Sequence, residues 1–146
     1  MEIKELGHVV LYVTNLEKVA NFYRDILGFK EISRENGMAI FSSGRTHHEL
    51  LLIEIGGKAK IKNIQEPGLY HIGLKIGNSL TDVKKAYEEL KKNNVEIIGT
   101  SDHTITYSIY IKDPDGNEIE LYADVSDKWK KNPKLILSPI KHLDLS

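Results

Sequence analysis

The chain has 146 residues, 20 basic against 21 acidic, and a net charge of −1; about 40% of it is apolar. Without a clustered basic excess, the electrostatic footprint of a nucleic-acid binder is absent. With no cysteine, disulfides, thiolate metal sites and thiol nucleophiles are excluded together, so a bound metal would have to sit on His, Asp and Glu. There is no N-terminal apolar leader and no run of membrane-spanning length, and a cytoplasmic protein without membrane contact is expected.

In chain order, Leu6–Val13 reads as a short aliphatic strand containing His8. Thr14-Asn15 punctuates it. Leu16–Leu27 reads as a helix with Val19, Phe22, Tyr23, Ile26 and Leu27 on one face, closed by Gly28 as a left-handed cap. Three strands follow: Lys30–Glu35, Met38–Ser42 and Glu49–Ile55, with Asn36-Gly37 as a hairpin turn. Residues 58–68 form a linker. The pattern then repeats. Leu69–Ile76 resembles Leu6–Val13 and carries His71 where the first copy carries His8. Leu80–Lys92 is a second amphipathic helix, followed by strands Glu96–Gly99, Tyr107–Lys112 and Glu118–Ala123. The expected fold is α+β: two tandem βαβββ modules, about 4–57 and 69–124, forming a curved mixed sheet that encloses a metal site in a single domain. The tail, 125–146, shows little periodicity and is expected to wrap the surface or complete an interface.

Three ionisable residues fall within these apolar strands: His8, His71 and Glu120. Singly, each has an ordinary reading. A strand histidine is more often a satisfied core residue, and Glu120 could face solvent with Ile119 and Leu121 turned inward. Together they favour a metal. An unpaired carboxylate on a buried face costs several kcal/mol, and a divalent cation removes that cost. Duplicated modules commonly pack about a pseudo-two-fold axis, which gives His8 and His71 a reason to meet. Two imidazoles and a carboxylate leave coordination positions open, as Fe(II) oxygenases require.

Gly7-His8-Val-Val, Phe22-Tyr23-Arg24-Asp25-Ile-Leu27-Gly28-Phe29, Tyr70-His71-Ile-Gly73-Leu and Asp113-Pro114-Asp115-Gly116-Asn117-Glu-Ile-Glu120-Leu-Tyr122 together resemble the vicinal oxygen chelate superfamily. That superfamily includes glyoxalase I, fosfomycin-resistance proteins and extradiol dioxygenases. The resemblance covers nearly the whole chain and implies His8, His71 and Glu120 as the metal ligands. His47-His48 at the opening of the last strand of the first module, Asp102-His103, and Tyr110 ten residues before Glu120 resemble the catechol 2,3-dioxygenase-like branch, as do Trp129 and the late Leu143-Asp144-Leu145.

This resemblance implies cleavage of a catechol-type ring with O2. Fe(II) is the first expectation for the metal, with Mn(II), Zn(II) or Ni(II) as the other candidates. It further implies His48 as the acid–base group, His103 in the oxygen pocket and Tyr110 as a hydrogen-bond donor to substrate. His47 and His142 are read as surface residues. A homodimer or higher homo-oligomer is the superfamily expectation. Two other readings stay open. One is a glyoxalase I-like lyase or epimerase with Glu54, in the same strand parity as His48, as fourth ligand. The other is a non-catalytic small-molecule-binding protein.

Overall fold

The computed structural model describes residues 1–60 and 66–145. The centre of the expected linker and Ser146 lie outside the described residues. The chain divides into two compact units, Met1–Asn63 and Ile64–Ser146. Each contains one βαβββ module with its own mixed sheet.

In the first unit, β1 (Val9–Val13) leads through Asn15 into α1 (Leu16–Asn21). The Asn15 side chain accepts the Lys18 amide at 2.8 Å, satisfying one orphan donor of the first turn. The expected single helix to Leu27 is instead α-helical only to Asn21. Phe22–Ile26 widens into a π turn, in which the Leu27 amide donates to the Phe22 carbonyl at 3.2 Å. Two adjacent large rings, Phe22 and Tyr23, stand edge-on there at 5.6 Å, and the wider turn accommodates both. Gly28 at φ 73° ends the segment, as its position predicts.

Three strands complete the unit: β2 (Lys30–Glu35), β3 (Met38–Ser42) and β4 (Leu50–Glu54). Asn36 and Gly37, both at positive φ, make the β2–β3 turn. The sheet order is β1-β4-β3-β2, with β1 and β4 parallel and the other pairs antiparallel. Strand alternation sends Leu11, Val13, Leu50, Leu52, Ala39 and Phe41 to one buried face. Val19, Ala20 and Tyr23 are likewise fully buried.

In the second unit, β5 (His71–Gly77) feeds α2 (Leu80–Lys92). Ser79 caps the helix: its hydroxyl accepts the Asp82 amide at 3.2 Å, while the Asp82 carboxylate accepts the Asn78 amide at 3.0 Å. The Asp82 carboxyl is held below its usual range, first by the Ser79 hydroxyl and then by the Asn78 amide. Gly77 lies against Asp82 so closely that an added Cβ would overlap the Asp82 side chain. Gly77→Ala is therefore expected to destabilise the protein by about 1–3 kcal/mol, the usual cost of overpacking. Urea unfolding at neutral pH measures it.

The remaining strands are β6 (Ile97–Asp102), β7 (Thr106–Lys112), β8 (Glu118–Asp124) and β9 (Lys141–His142), in the order β5-β8-β7-β6-β9. β5 and β8 are parallel. The tail does wrap back: after two short 3-10 turns, β9 adds to the exposed edge of β6, and the Thr100 hydroxyl donates to the Leu143 carbonyl at 2.7 Å. Ile109, Ile111, Ile119, Leu121 and Ala123 are buried, as are Val83 and Leu90 of α2. No helix among the described residues is long and apolar enough to cross a membrane.

Candidate metal and substrate site

Alternation leaves the opposite face of the second sheet to polar side chains. In the parallel β5–β8 ladder, His71 is opposite Glu118 and Gly73 opposite Glu120; in the antiparallel β7–β8 ladder, Tyr110 is opposite Glu120. The ten-residue spacing of Tyr110 and Glu120 is thus the register of a hairpin. Glu120 lies neither in the core nor in free solvent. Ile119 and Leu121 are the inward pair, and Glu120 stands half-buried on the other face.

The Asp113–Asn117 turn sets that register. The Asp113 carboxylate accepts the amides of Asp115 and Asn117 at 2.9 and 2.8 Å and the Asn117 side-chain amide at 2.8 Å. Gly116 at φ 85° completes the turn.

The two oxygens of Glu120 have different partners. Oε1 accepts the Ser108 hydroxyl at 2.6 Å and the Tyr110 hydroxyl at 3.2 Å. Oε2 faces His71 Nε2 at 3.1 Å. Tyr110 has one proton, so its 2.8 Å contact with His103 Nε2 needs the histidine to donate. The chain is then His103 N–H to Tyr110, and Tyr110 O–H to Glu120. Burial, together with the Glu120 charge, pushes the Tyr110 phenol up to about 12, so it stays a donor at neutral pH.

Two adjoining cavities open over this face. One, of about 530 Å³, is lined by Tyr70, Glu118 and Ile140 among others; the other, of about 500 Å³, by Glu120, Tyr122 and Ile136; both share His71, His103 and Tyr110.

The arrangement fits a divalent cation in its donor chemistry. His71 Nε2 and Glu120 Oε2 stand side by side at 3.1 Å, one imidazole nitrogen and one carboxylate oxygen, and Ser108 and Tyr110 hold the carboxylate with Oε2 turned toward the imidazole. Among the described residues, no group of three His, Asp or Glu side chains is drawn together around one point. His8, the third expected ligand, belongs to the first unit.

His8 is exposed and precedes β1 rather than lying within it. Its ring is 4.4 Å from that of His48. His48 does not open β4 as expected, because that strand starts at Leu50. The preceding loop is held instead by Glu49, whose carboxylate accepts the Ser43 and Thr46 amides at 2.8 and 3.1 Å. His47 is exposed, as read from the sequence, and touches His48, with the two Nδ1 atoms 2.5 Å apart. Burial and the charges of His47 and His8 hold the His48 imidazole below its usual range. His142 is exposed in β9.

Glu54 shares the face of Leu50 and Leu52, and its carboxylate accepts the Leu16 amide at the start of α1 at 2.6 Å. The parity argument joining it to His48 fails, since His48 lies outside the strand. Glu54 is a helix-capping residue, which removes the support for a four-ligand site.

Ser108 and Glu118 were missed from the sequence. Ser108 is fully buried, two residues before Tyr110 on the same strand face, and a serine among isoleucines and tyrosines was the available signal. Glu118 is 9% exposed, two residues before Glu120.

The chain is 28% identical over 120 residues to biphenyl-2,3-diol 1,2-dioxygenase 2 of Rhodococcus globerulus, covering 82% of this chain but only 63% of that enzyme. It is 31% identical over 124 residues to the metallothiol transferase FosB of Staphylococcus haemolyticus (strain JCSC1435), covering 83% and 84% of the two chains. The solved glyoxylase/bleomycin resistance protein/dioxygenase domain from Frankia sp. EAN1pec has the same fold, with a TM-score of 0.68 at 22% identity over 84% of this chain and 99% of that one. Residues 5–121 match one family throughout, across both modules. The chain belongs to the Glyoxalase/Bleomycin resistance protein/Dioxygenase superfamily.

Proposed function

We propose that the protein is a metal-dependent dioxygenase that opens a catechol-type ring with O2, with His8, His71 and Glu120 as metal ligands in a single two-module domain. The observation that carries this reading is the His71–Glu120 pair set beside the His103–Tyr110 hydrogen-bond chain in one cleft. The likeness to a dioxygenase acting on a biphenyl diol supports it.

When bound, Fe(II), or Mn(II) in its place, would supply redox coupling between a chelated diol and O2. The chain's own residues do the rest. Ser108 and Tyr110 fix the Glu120 carboxylate. His48, kept unprotonated at neutral pH by its depressed pKa, accepts a catechol proton. Tyr110 and His103 line the cleft, and the Tyr110 hydroxyl, turned from Glu120, would donate to a substrate oxygen there. Ile98, Ile105, Ile136 and Ile140 give its walls apolar surface suited to a ring.

Under anaerobic loading with Fe(II) followed by O2, the protein is expected to consume O2 and yield a yellow semialdehyde from at least one of catechol, an alkylcatechol or 2,3-dihydroxybiphenyl. Absence of O2 uptake across that panel would overturn the reading. A second reading, metal-dependent thiol transfer, draws support from FosB, which the chain matches over 84% of FosB's length. Thiol consumption without O2 uptake would select it.

A further inference from the structure

We infer that the C-terminal tail selects the substituent carried by the diol: Ile136 and Ile140 are specificity-determining residues that favour an uncharged apolar group over a carboxylate. This deepens the proposed function and rests on it for the diol itself. The tail is tied to the second sheet at both ends. At its start the Val125 amide donates to the Ile105 carbonyl at 2.9 Å. At its finish β9 pairs with β6, the Thr100 hydroxyl donates to the Leu143 carbonyl at 2.7 Å, and Leu145 is buried. Between these ties, the Pro133–Leu137 turn brings Ile136 to the cavity that contains Glu120. Ile140, the residue before β9, reaches the cavity that contains Glu118. Each isoleucine thus shares a cavity with His71, His103 and Tyr110.

Both isoleucines are more than half exposed, Ile136 at 51% and Ile140 at 66%. Tyr70 and Ile98, which line the same cavity as Ile140, are exposed as well. Apolar surface left in water at a cavity wall is covered favourably by an apolar group. A carboxylate finds no such return. Among the described residues neither cavity is lined by Lys or Arg, whereas Glu118 lines one and Glu120 the other. Lys141 follows Ile140 in the chain, but it is exposed in β9 and does not line the cavity. A carboxylate placed there would give up hydration close to like charge, with no cation to meet it. Apolar surface and charge therefore point to the same choice of substituent.

3-Isopropylcatechol and 2,3-dihydroxybenzoate carry substituents of similar shape that differ mainly in charge, and catechol carries none. Binding of each to the full chain is measured by calorimetry without O2, in the metal-free and the Fe(II)-loaded protein, and O2 uptake is followed separately. 3-Isopropylcatechol is expected to bind roughly 10-fold more tightly than catechol, as covering its carbons at a part-open wall allows. 2,3-Dihydroxybenzoate should bind no more tightly than catechol. Replacing both residues, Ile136→Ala with Ile140→Ala, should bring the isopropylcatechol-to-catechol ratio close to one. Ile140→Lys should raise 2,3-dihydroxybenzoate relative to catechol by roughly 3-fold, the worth of an exposed ion pair. Unchanged circular dichroism checks the fold, and should the double variant fail to fold, the single variants are read by the same ratio. Equal binding of the three diols in both forms would overturn the inference. So would no binding of any diol, tighter binding of 2,3-dihydroxybenzoate than of catechol, or a wild-type ratio in the alanine variants. If the selection is present in binding and lost in those variants while no diol drives O2 uptake, the dioxygenase reading fails and the role of the tail stands. If O2 is consumed equally well with all three, that reading stands and the inference fails.

Discussion

Glu120→Gln is expected to bind Fe(II) or Co(II) more than 100-fold more weakly than wild type while keeping the fold. An outer partner of a metal ligand is worth roughly 10- to 100-fold in affinity, and a ligand should exceed that. The amide still accepts the hydroxyls of Ser108 and Tyr110, so the β7–β8 register is preserved. Glu120→Ala should also lose metal, and in addition strands two donors, one of them on the fully buried Ser108, at about 1–3 kcal/mol each. Comparing the two variants by metal titration and by urea unfolding separates the ligand role from the structural one. Wild-type affinity in Glu120→Gln would exclude it as a ligand.

The same variant has a signature at alkaline pH. The Tyr110 phenol is raised from 10.0 to about 12, by burial first and then by the Glu120 charge. A raised folded pKa contributes stability that is complete below 10.0 and lost as pH climbs through about 12. Removing the charge in Glu120→Gln should bring the phenol part of the way down. The latest component of the tyrosinate absorbance titration should then move to lower pH.

His48→Ala is expected to retain metal and to lower turnover by roughly 10²- to 10⁴-fold, the usual worth of a general acid–base group. The side chain stacks beside His8 at 4.4 Å between ring centres, close enough to serve a substrate bound next to that residue without being a ligand. Its depressed pKa, from burial and from His47 and His8, places it in the proton-accepting form at neutral pH. Metal content by atomic emission, with kcat against a reactive catechol, checks both halves. Loss of metal in His48→Ala would make it a ligand and overturn the acid–base role.

Much of the scaffold was legible in the chain because its signals are local. Asn36-Gly37 made a hairpin and Gly28 ended a helical segment, since each depends on a few residues' own backbone preferences. The repeat of the Leu6–Val13 pattern at Leu69–Ile76 announced two modules. The π turn at Phe22 and the true start of β4 were not legible, because both depend on packing and on hydrogen bonds across a loop. Parity likewise misplaced Glu54: alternation holds only within a strand, and His48 lies outside it.

The module order was readable from periodicity and turn residues, which are properties of the chain; His71 and Glu120 stood out as ionisable residues in apolar strands, while the superfamily and the candidates Tyr110 and His103 came from motif resemblance. Only the tertiary structure decided that Glu120 divides its two oxygens between a hydroxyl pair and an imidazole. It alone showed that His71 keeps a buried Nδ1 facing Glu118, and that the Glu54 carboxylate, at the end of β4, accepts the first amide of α1. These are relations between side chains on different strands. Cross-strand register, not sequence distance, sets which polar atoms meet away from water, and there an unmet partner is costly.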